Sequence, residues 1–409
     1  MKLKHSVKTA VQGDMPAPGR WTVSEPGDRA RWLQASEYTP VNVSRILEAA
    51  NEGDISELAV AAREIQERNW EVIMAMQVRK SALTGLEWGV DPGDGRQASK
   101  EAAEAFEAAL RSSGGEPGLA SFHGLVDHLM DAVISPLAAA EIVWGPGGSL
   151  AGFRPVGAWH FTFRGSETPL LLTGDEPQGI PLPPAKFIVH THGGAGDPAR
   201  AGLIRTLIWL HVFQNYPVKD LVSFVERYGM PFVVAKVDRN AWENERGVMR
   251  NLIRSFGPNG GGVFTKSTEL ELLQASNSGG DVYFRLLEYT SKAITKVLLG
   301  QLASSSESGG LSGGDAQSRV RSDLLEADAR AIESTVRDHI AAPWTKFNFG
   351  DTASVPVLRF HNSAQEDRAV FANIVETLHR AGLDADPEEI SARFGITLAR
   401  SASVGEVRP

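Results

Sequence analysis

"GLIRTLIWLHVFQNYPVKDLVSFVERYGMP", residues 202–231, is the stretch on which the fold turns. It reads as one long helical run with Pro217 inside it as a kink or break, because proline withholds an N–H and crowds the preceding turn. Its most apolar part, "LIWLHVF" (207–213), is far shorter than the roughly 18 residues that a membrane-spanning helix needs. The next segment changes character. "MPFVVAKV" (230–237) predicts a strand, "RNAWENERGVMRNLIRSF" (239–256) an amphipathic helix, and "GPNGGGVFTKSTELELLQ" (257–274) a turn running into a hairpin or strand. Helical spacing returns at "DVYFRLLEYTSKAITKVLL" (281–299), with Tyr283, Leu286, Leu287, Ile294, Val297 and Leu298 on one face. At 1.5 Å per residue that is about 28 Å of helix.

Downstream lies "GQLASSSESGGLSGGDAQSRV" (300–320), dominated by Ser and Gly and without a side chain that could anchor a core. It leads into a second long helix, Arg319 to Ile340, with Val320, Leu324, Ala327, Ala331, Val336 and Ile340 inward and Pro343 as its stop. "GLSGG" (310–314) fits the G-x-S-x-G nucleophile elbow, which would make Ser312 the nucleophile of a hydrolase. That motif requires a strand before the serine and a helix after it, whereas a helix and a Ser/Gly run precede Ser312, and such a run matches the pattern by chance. The last 60 or so residues give one strand, "VPVLRFH", and small helices.

Upstream, residues 140–190 hold short β-prone runs separated by turn residues: "AEIVW", "FRPVGAWHFTFRG", "PLLLT" and "KFIVHTH". "SFHGLVDHLMDAVI" (121–134) and "SKEAAEAFEAALRSS" (99–113) are helical, and "LEWGVDPGDG" (86–95) is a strand entering a turn. Before these, Ile55, Leu58, Ala62, Ile65, Val72, Met76 and Leu83 recur at helical spacing behind Asp54, a predicted N-cap. Residues 1–52 are polar and broken by Pro and Gly, and read as an arm lying on the body or on another subunit.

Composition narrows the chemistry. There are 409 residues and no cysteine, so disulfides, thiolate nucleophiles and zinc–cysteine sites are excluded. The N-terminus has lysines but no apolar core of a signal peptide. The net charge of −9 disfavours tight, static DNA binding, which depends on neutralising phosphates, while leaving room for transient contact inside a larger assembly. No phosphate-binding G-x-x-x-x-G-K-[ST] is present, and "GGGVFTKS" (260–267) has the wrong spacing. "HTH" (190–192) puts two imidazoles on one strand face with no obvious third ligand, so His190 and His192 read as ordinary strand histidines and no metal or cofactor is expected. His123 and His128, at i,i+5, share no helix face well. Arg246, Arg250 and Arg254 form a cationic stripe that could meet phosphates or an acidic partner; a solvated face is the plainer reading.

In order and spacing, these blocks resemble a known family. "WEVIMAMQVRKSALTGLEWGVDPG" (70–93), "LAAAEIVWGPGG", "FRPVGAWHFTFRG", "LPPAKFIVHTHGG" and the run from Gly202 are similar to bacteriophage portal proteins of the Mu-type phage and prophage branch. "LLEYTSKAITKVLLGQLASSS", the helix carrying Asp328-Ala329 and ending in "PWTKFNFG", "RFHNSAQEDRA" and "ISARFGIT" extend the likeness to the C-terminus. Leu221 stands where the family leads one to expect an aromatic. The resemblance implies an α+β portal fold that forms a ring, dodecameric in virions. It has an α/β wing, a helical stem, a small α/β clip and a helical crown.

By chain order the resemblance implies an N-terminal arm at 1–52, the wing at 53–202, a first stem helix at 203–231 and the clip at 232–275. It places a second stem helix at 276–301, a tunnel loop at 302–318, a long wing helix at 319–356 and the crown at 357–409. Ser304, Ser305, Ser306, Gly309, Gly310, Ser312, Gly313 and Gly314 would then belong to a loop facing the DNA channel, where low stiffness lets a duplex pass. A surface loop without consequence is the alternative. Arg246, Arg250 and Arg254 would lie in the clip, against DNA, terminase or connector proteins. The implied partners are further copies of the chain, double-stranded DNA, the large terminase subunit, the major capsid protein and head–tail connectors. The implied location is the virion vertex, and the bacterial cytoplasm during assembly. No catalytic residue is implied. A ring from a gene transfer agent or a decayed prophage would give nearly the same sequence.

Overall fold

The computed structural model describes residues 38–193, 197–228, 232–236, 269–273, 278–300, 311–361 and 375–382. Contacts divide the chain into two units, Met1–Gly85 with Gly89–Arg359, and Leu86–Trp88 with Phe360–Pro409. In the second unit the described part downstream of the strands is a short helix over 375–380.

The first unit opens with three helices. α1 (Pro40–Asn51) starts at Thr39, whose hydroxyl accepts the Asn42 N–H, and buries Val43, Ile46 and Ala50. The end of the expected arm is therefore a packed helix, while residues 1–37 lie outside the described residues. The apolar series expected to run from Asp54 through Leu83 is two helices, α2 (Ser56–Arg68) and α3 (Trp70–Thr84). Asn69 makes the break. Its Oδ1 accepts the N–H groups of Glu71 and Val72, capping α3. Its Nδ2 reaches His211 Nδ1 at 3.1 Å and Gln214 Oε1 at 2.7 Å. Asp54 caps from one position further out, accepting the Ser56 N–H.

β1 (Glu87–Asp91) pairs with the late strand β10 (Val357–His361). α4 (Gln97–Ser112) buries Ser99, Ala102, Ala103, Phe106 and Leu110 at helical spacing. After α5 (Phe122–Leu129) comes a three-stranded antiparallel sheet in the order β3 (Leu150–Val156), β2 (Ala138–Trp144), β7 (Phe187–His190). The central strand is buried on both faces, so its sequence is nearly continuous in apolar residues rather than alternating. Its one charge, Glu141, is held between Arg154 at 2.6 Å and Lys186 at 3.0 Å. A smaller sheet joins β4 (Phe161–Thr162), β5 (Leu170–Leu171) and β6 (Ile180–Pro181). Phe161, Phe187, Phe163, Leu171 and Ile55 form the core between them.

Gly202, at φ +76°, turns the chain into α6 (Ile204–Tyr228); a Cβ there would lie 2.3 Å from the Ser135 carbonyl oxygen. α6 continues through Pro217, so of the expected kink or break the break does not occur. A mid-helix proline costs about 3 kcal/mol, and the broad packing of α6 against α7 (Ser278–Leu299) offsets it. Between them β8 (Phe232–Lys236) pairs antiparallel with β9 (Glu269–Leu273), Phe232 facing Leu273 and Lys236 facing Glu269. The amphipathic helix expected over 239–256 lies outside the described residues.

The second long helix begins earlier than expected. α8 (Leu311–Val336) takes in the last eight residues of the segment assigned to a loop, with Ser312, Gly313 and Gly314 in its first turn. Glycines disfavour a helix interior by about 1 kcal/mol each, but that penalty is smallest at an end, where the helix is being started. Pro343 does not stop the helix either. A π-turn over Arg337–Ala341 precedes α9 (Ala342–Phe349), and Pro343 sits in the first turn of α9. In regular α-geometry the proline ring would crowd the carbonyl of His339; the widened turn relieves that crowding. Trp344 then packs on Phe106 with ring centroids 5.0 Å apart.

Candidate functional site

The expected channel segment is framed by a junction of α3, α7, α8 and β7. α3 turns Val72, Ala75, Met76, Arg79 and Leu83 inward. Arg79, on the apolar phase of the helix, is 7% exposed. Its Nε and Nη2 donate to the two oxygens of Asp328 at 2.6 and 2.7 Å, and its Nη1 donates to the Leu298 carbonyl at 2.9 Å. One guanidinium thus binds the middle of α8 and satisfies a carbonyl in the last turn of α7, where intrahelical partners run out. Gly300, at φ +69°, closes α7 with its N–H on the Lys296 carbonyl; a Cβ there would meet Val320 Cγ1 at 3.1 Å.

The histidines of "HTH" complete this junction. His190 Nδ1 lies 2.8 Å from Thr335 Oγ1, and His192 Nδ1 lies 3.9 Å from Asp328 Oδ1. Burial first, then the neighbouring His192, pushes the His190 imidazole down to about 4. Burial and the Arg79 charge hold His192 below its ordinary value, against the pull of Asp328. His339, on the π-turn, sits 3.3 Å from the Phe187 carbonyl and is also lowered by burial. Among the described residues no group of three or more His, Asp or Glu side chains is arranged to hold a metal ion. The Asp328 carboxylate is consumed by the arginine fork, so the junction offers structural rigidity rather than an acid–base pair.

The sequence-derived candidates fall around this frame. Ser304, Ser305, Ser306, Gly309 and Gly310 lie outside the described residues, between the end of α7 and the start of α8. Ser312 is the second residue of α8, in helical backbone, and not at the sharp strand-to-helix turn of a nucleophile elbow. Arg246, Arg250 and Arg254 also lie outside the described residues. Their segment leaves β8 and returns on β9, so both of its ends are tied to one ribbon. Sequence reading missed Arg79. The available signal was its phase: a lone charge in register with Val72, Met76 and Leu83 needs a buried partner.

Comparison with known proteins gives a consistent result. A family model described as the portal protein of Mu bacteriophage matches residues 60–396. The Mu-like prophage FluMu protein gp29 of Haemophilus influenzae is 27% identical over 355 residues, covering 83% of this chain and 67% of its own. The portal protein of Escherichia phage Mu is 24% identical over 357 residues, covering 84% and 68%. Among solved structures, a chain in the neck of a native gene transfer agent particle, computed with C12 symmetry, aligns with a TM-score of 0.53 at 10% identity, covering 90% of this chain and 97% of that one. A chain of a native gene transfer agent virion gives 0.53 at 9% identity, covering 88% and 94%. The two structures establish likeness of fold.

Proposed function

The chain belongs to the family described as the portal protein of Mu bacteriophage, and from that premise we propose that its copies close into a ring at one capsid vertex, through which double-stranded DNA enters the head and later leaves it. The observation that carries this reading is the family match across residues 60–396, joined to an architecture that suits it. Two long helices, α6 and α7, pack side by side and lead into one β-ribbon, as a stem capped by a clip would. In this reading residues 53–202 are the wing and 232–275 the clip. The tunnel loop narrows from 302–318 to the residues between α7 and α8, and Arg79 ties the end of α7 from which it departs to the middle of α8.

Transport here needs geometry and no reactive side chain. The acidic balance of −9 favours sliding, because a strongly basic wall would hold the phosphates fast. Large terminase, the major capsid protein and head–tail connectors are the partners of such a ring, and the Arg246–Arg250–Arg254 stripe in the clip is offered to one of them or to DNA. No helix among the described residues is long and apolar enough to cross a membrane. A gene transfer agent or a prophage remnant would use the same ring, and genes for terminase and capsid beside this one distinguish a packaging system from a relic.

Negative-stain microscopy of the purified chain tests the proposal. Rings with a central hole are expected. A chain that stays single in every preparation, including assembled heads, overturns it.

A further inference from the structure

We propose that the outward face of α3 is one half of the contact between neighbouring copies of this chain, and that it docks on the aromatic stripe along the outward face of α6 of the next copy. The inference rests on the ring reading above and adds the surfaces that would close it.

α3 is apolar on both sides. Opposite its buried face, at 100° per residue, stand Trp70, Ile73, Met74, Gln77, Val78 and Ser81, none of them charged. Trp70 is 55% and Met74 62% exposed. That much exposed apolar surface is unusual on a helix whose opposite face is already packed, and among the described residues nothing covers it. α6 carries a second such surface. Ile204, Leu207, Ile208, His211 and Val212 are buried, while Trp209, Phe213 and Tyr216 share an arc of about 60° on the other side. The rings of Trp209 and Phe213 stack at 6.0 Å, and Phe213 and Tyr216 are 49% and 45% exposed.

The chemistry selects the occupant. Trp, Met, Phe and Tyr without charges is the composition of the centre of a protein–protein contact. A duplex, read through its phosphates, would require cations instead. The two faces differ, and that matters for closure. A face that pairs with itself stops at a dimer, whereas a ring needs two unlike faces on one subunit joined head to tail. Each face exposes on the order of 300 Å² of apolar side chain, short of the roughly 800 Å² per partner in a stable contact. They therefore suit the core of an interface whose polar rim lies on flanking elements.

The test uses the full chain in three forms: unchanged, Trp70→Ser with Met74→Glu, and Phe213→Glu with Tyr216→Ser. Circular dichroism checks folding, and sedimentation velocity reads assembly. The unchanged chain is expected to form rings and each variant to lose them at least tenfold. An equimolar mixture of the variants should give a two-subunit species and nothing larger, since only one good junction can form between them. If the glutamates unfold the chain, Met74→Ala and Phe213→Ala replace them, with the same tenfold loss expected. Rings persisting from either variant overturn the pairing while leaving the ring reading intact. Rings that persist with a lowered melting temperature assign the α3 face to a segment of the same chain, and also overturn it. An unchanged chain that never leaves the monomer brings down the ring reading, and this inference with it.

Discussion

The two sides of α3 reverse the usual arrangement of a surface helix. Inward it buries an arginine; outward it presents a tryptophan, a methionine and two branched aliphatics. The inward charge is fully matched, by both Asp328 oxygens and the Leu298 carbonyl, so it holds three helices in one register. Among the described residues the outward apolar surface has nothing comparable against it. One side of the helix completes the subunit, and the other is suited to joining subunits.

That contrast can be broken most sharply at Arg79. Arg79→Ala leaves Asp328 buried without its cation, and a loss of about 3–5 kcal/mol in unfolding free energy is expected, read from urea titrations at fixed protein concentration. The double change Arg79→Met with Asp328→Leu should recover most of it, because no uncompensated charge remains. A single variant as stable as the unchanged chain would mean that the fork is incidental.

Acid should act on the same inner side. His190 is held down to about 4 from an ordinary 6.5, so between those values the unfolded chain takes up a proton that the folded chain refuses. Stability is then fully present above about pH 6.5 and falls as pH drops towards 4, by on the order of 3 kcal/mol for this group. His192, His211 and His339, also lowered by burial, add to the same trend. Asp131, held near 2, gives up its contribution only at lower pH and does not blur the window. The urea midpoint at pH 4.5 should lie below that at pH 7.5, and His190→Gln should flatten the difference. The outer face of α3, where Trp70, Ile73, Met74 and Val78 carry no titrating group, should respond far less to this change.

The smallest effect is expected on that outer face. Within a subunit, Trp70→Ser with Met74→Glu should shift unfolding free energy by no more than about 0.5 kcal/mol, as exposed substitutions do. A loss of several kcal/mol would show that the face is already covered inside the chain and would dissolve the contrast.

Much of the fold was legible because period alone reveals it: the β-prone runs of residues 140–190, the helices near 99, 121 and 281, and the long run from Gly202 all appear close to where spacing put them. Local chemistry misled where tertiary contacts decide. Pro217 read as a kink or break and Pro343 as a stop, yet the first helix runs on through its proline and a π-turn makes room for the second. Nothing in the apolar spacing from Ile55 to Leu83 singles out Asn69, whose contacts with His211 and Gln214 show why the chain turns there. The candidate site was less readable still. Arg79 and Asp328 are 249 positions apart, and no spacing rule connects them. The face of α3 was visible only after the structure showed which side was already filled.

The β8–β9 ribbon has a consequence for how such chains diversify. Lys236 lies across from Glu269, so the intervening residues depart and return at neighbouring points, about 5 Å apart. A cassette with both ends fixed this closely can be exchanged for another of different length at little entropic cost. Exchanging residues 237–268 for a segment of another length is therefore expected to leave the pairing of β8 with β9 and the packing of α6 on α7 unchanged.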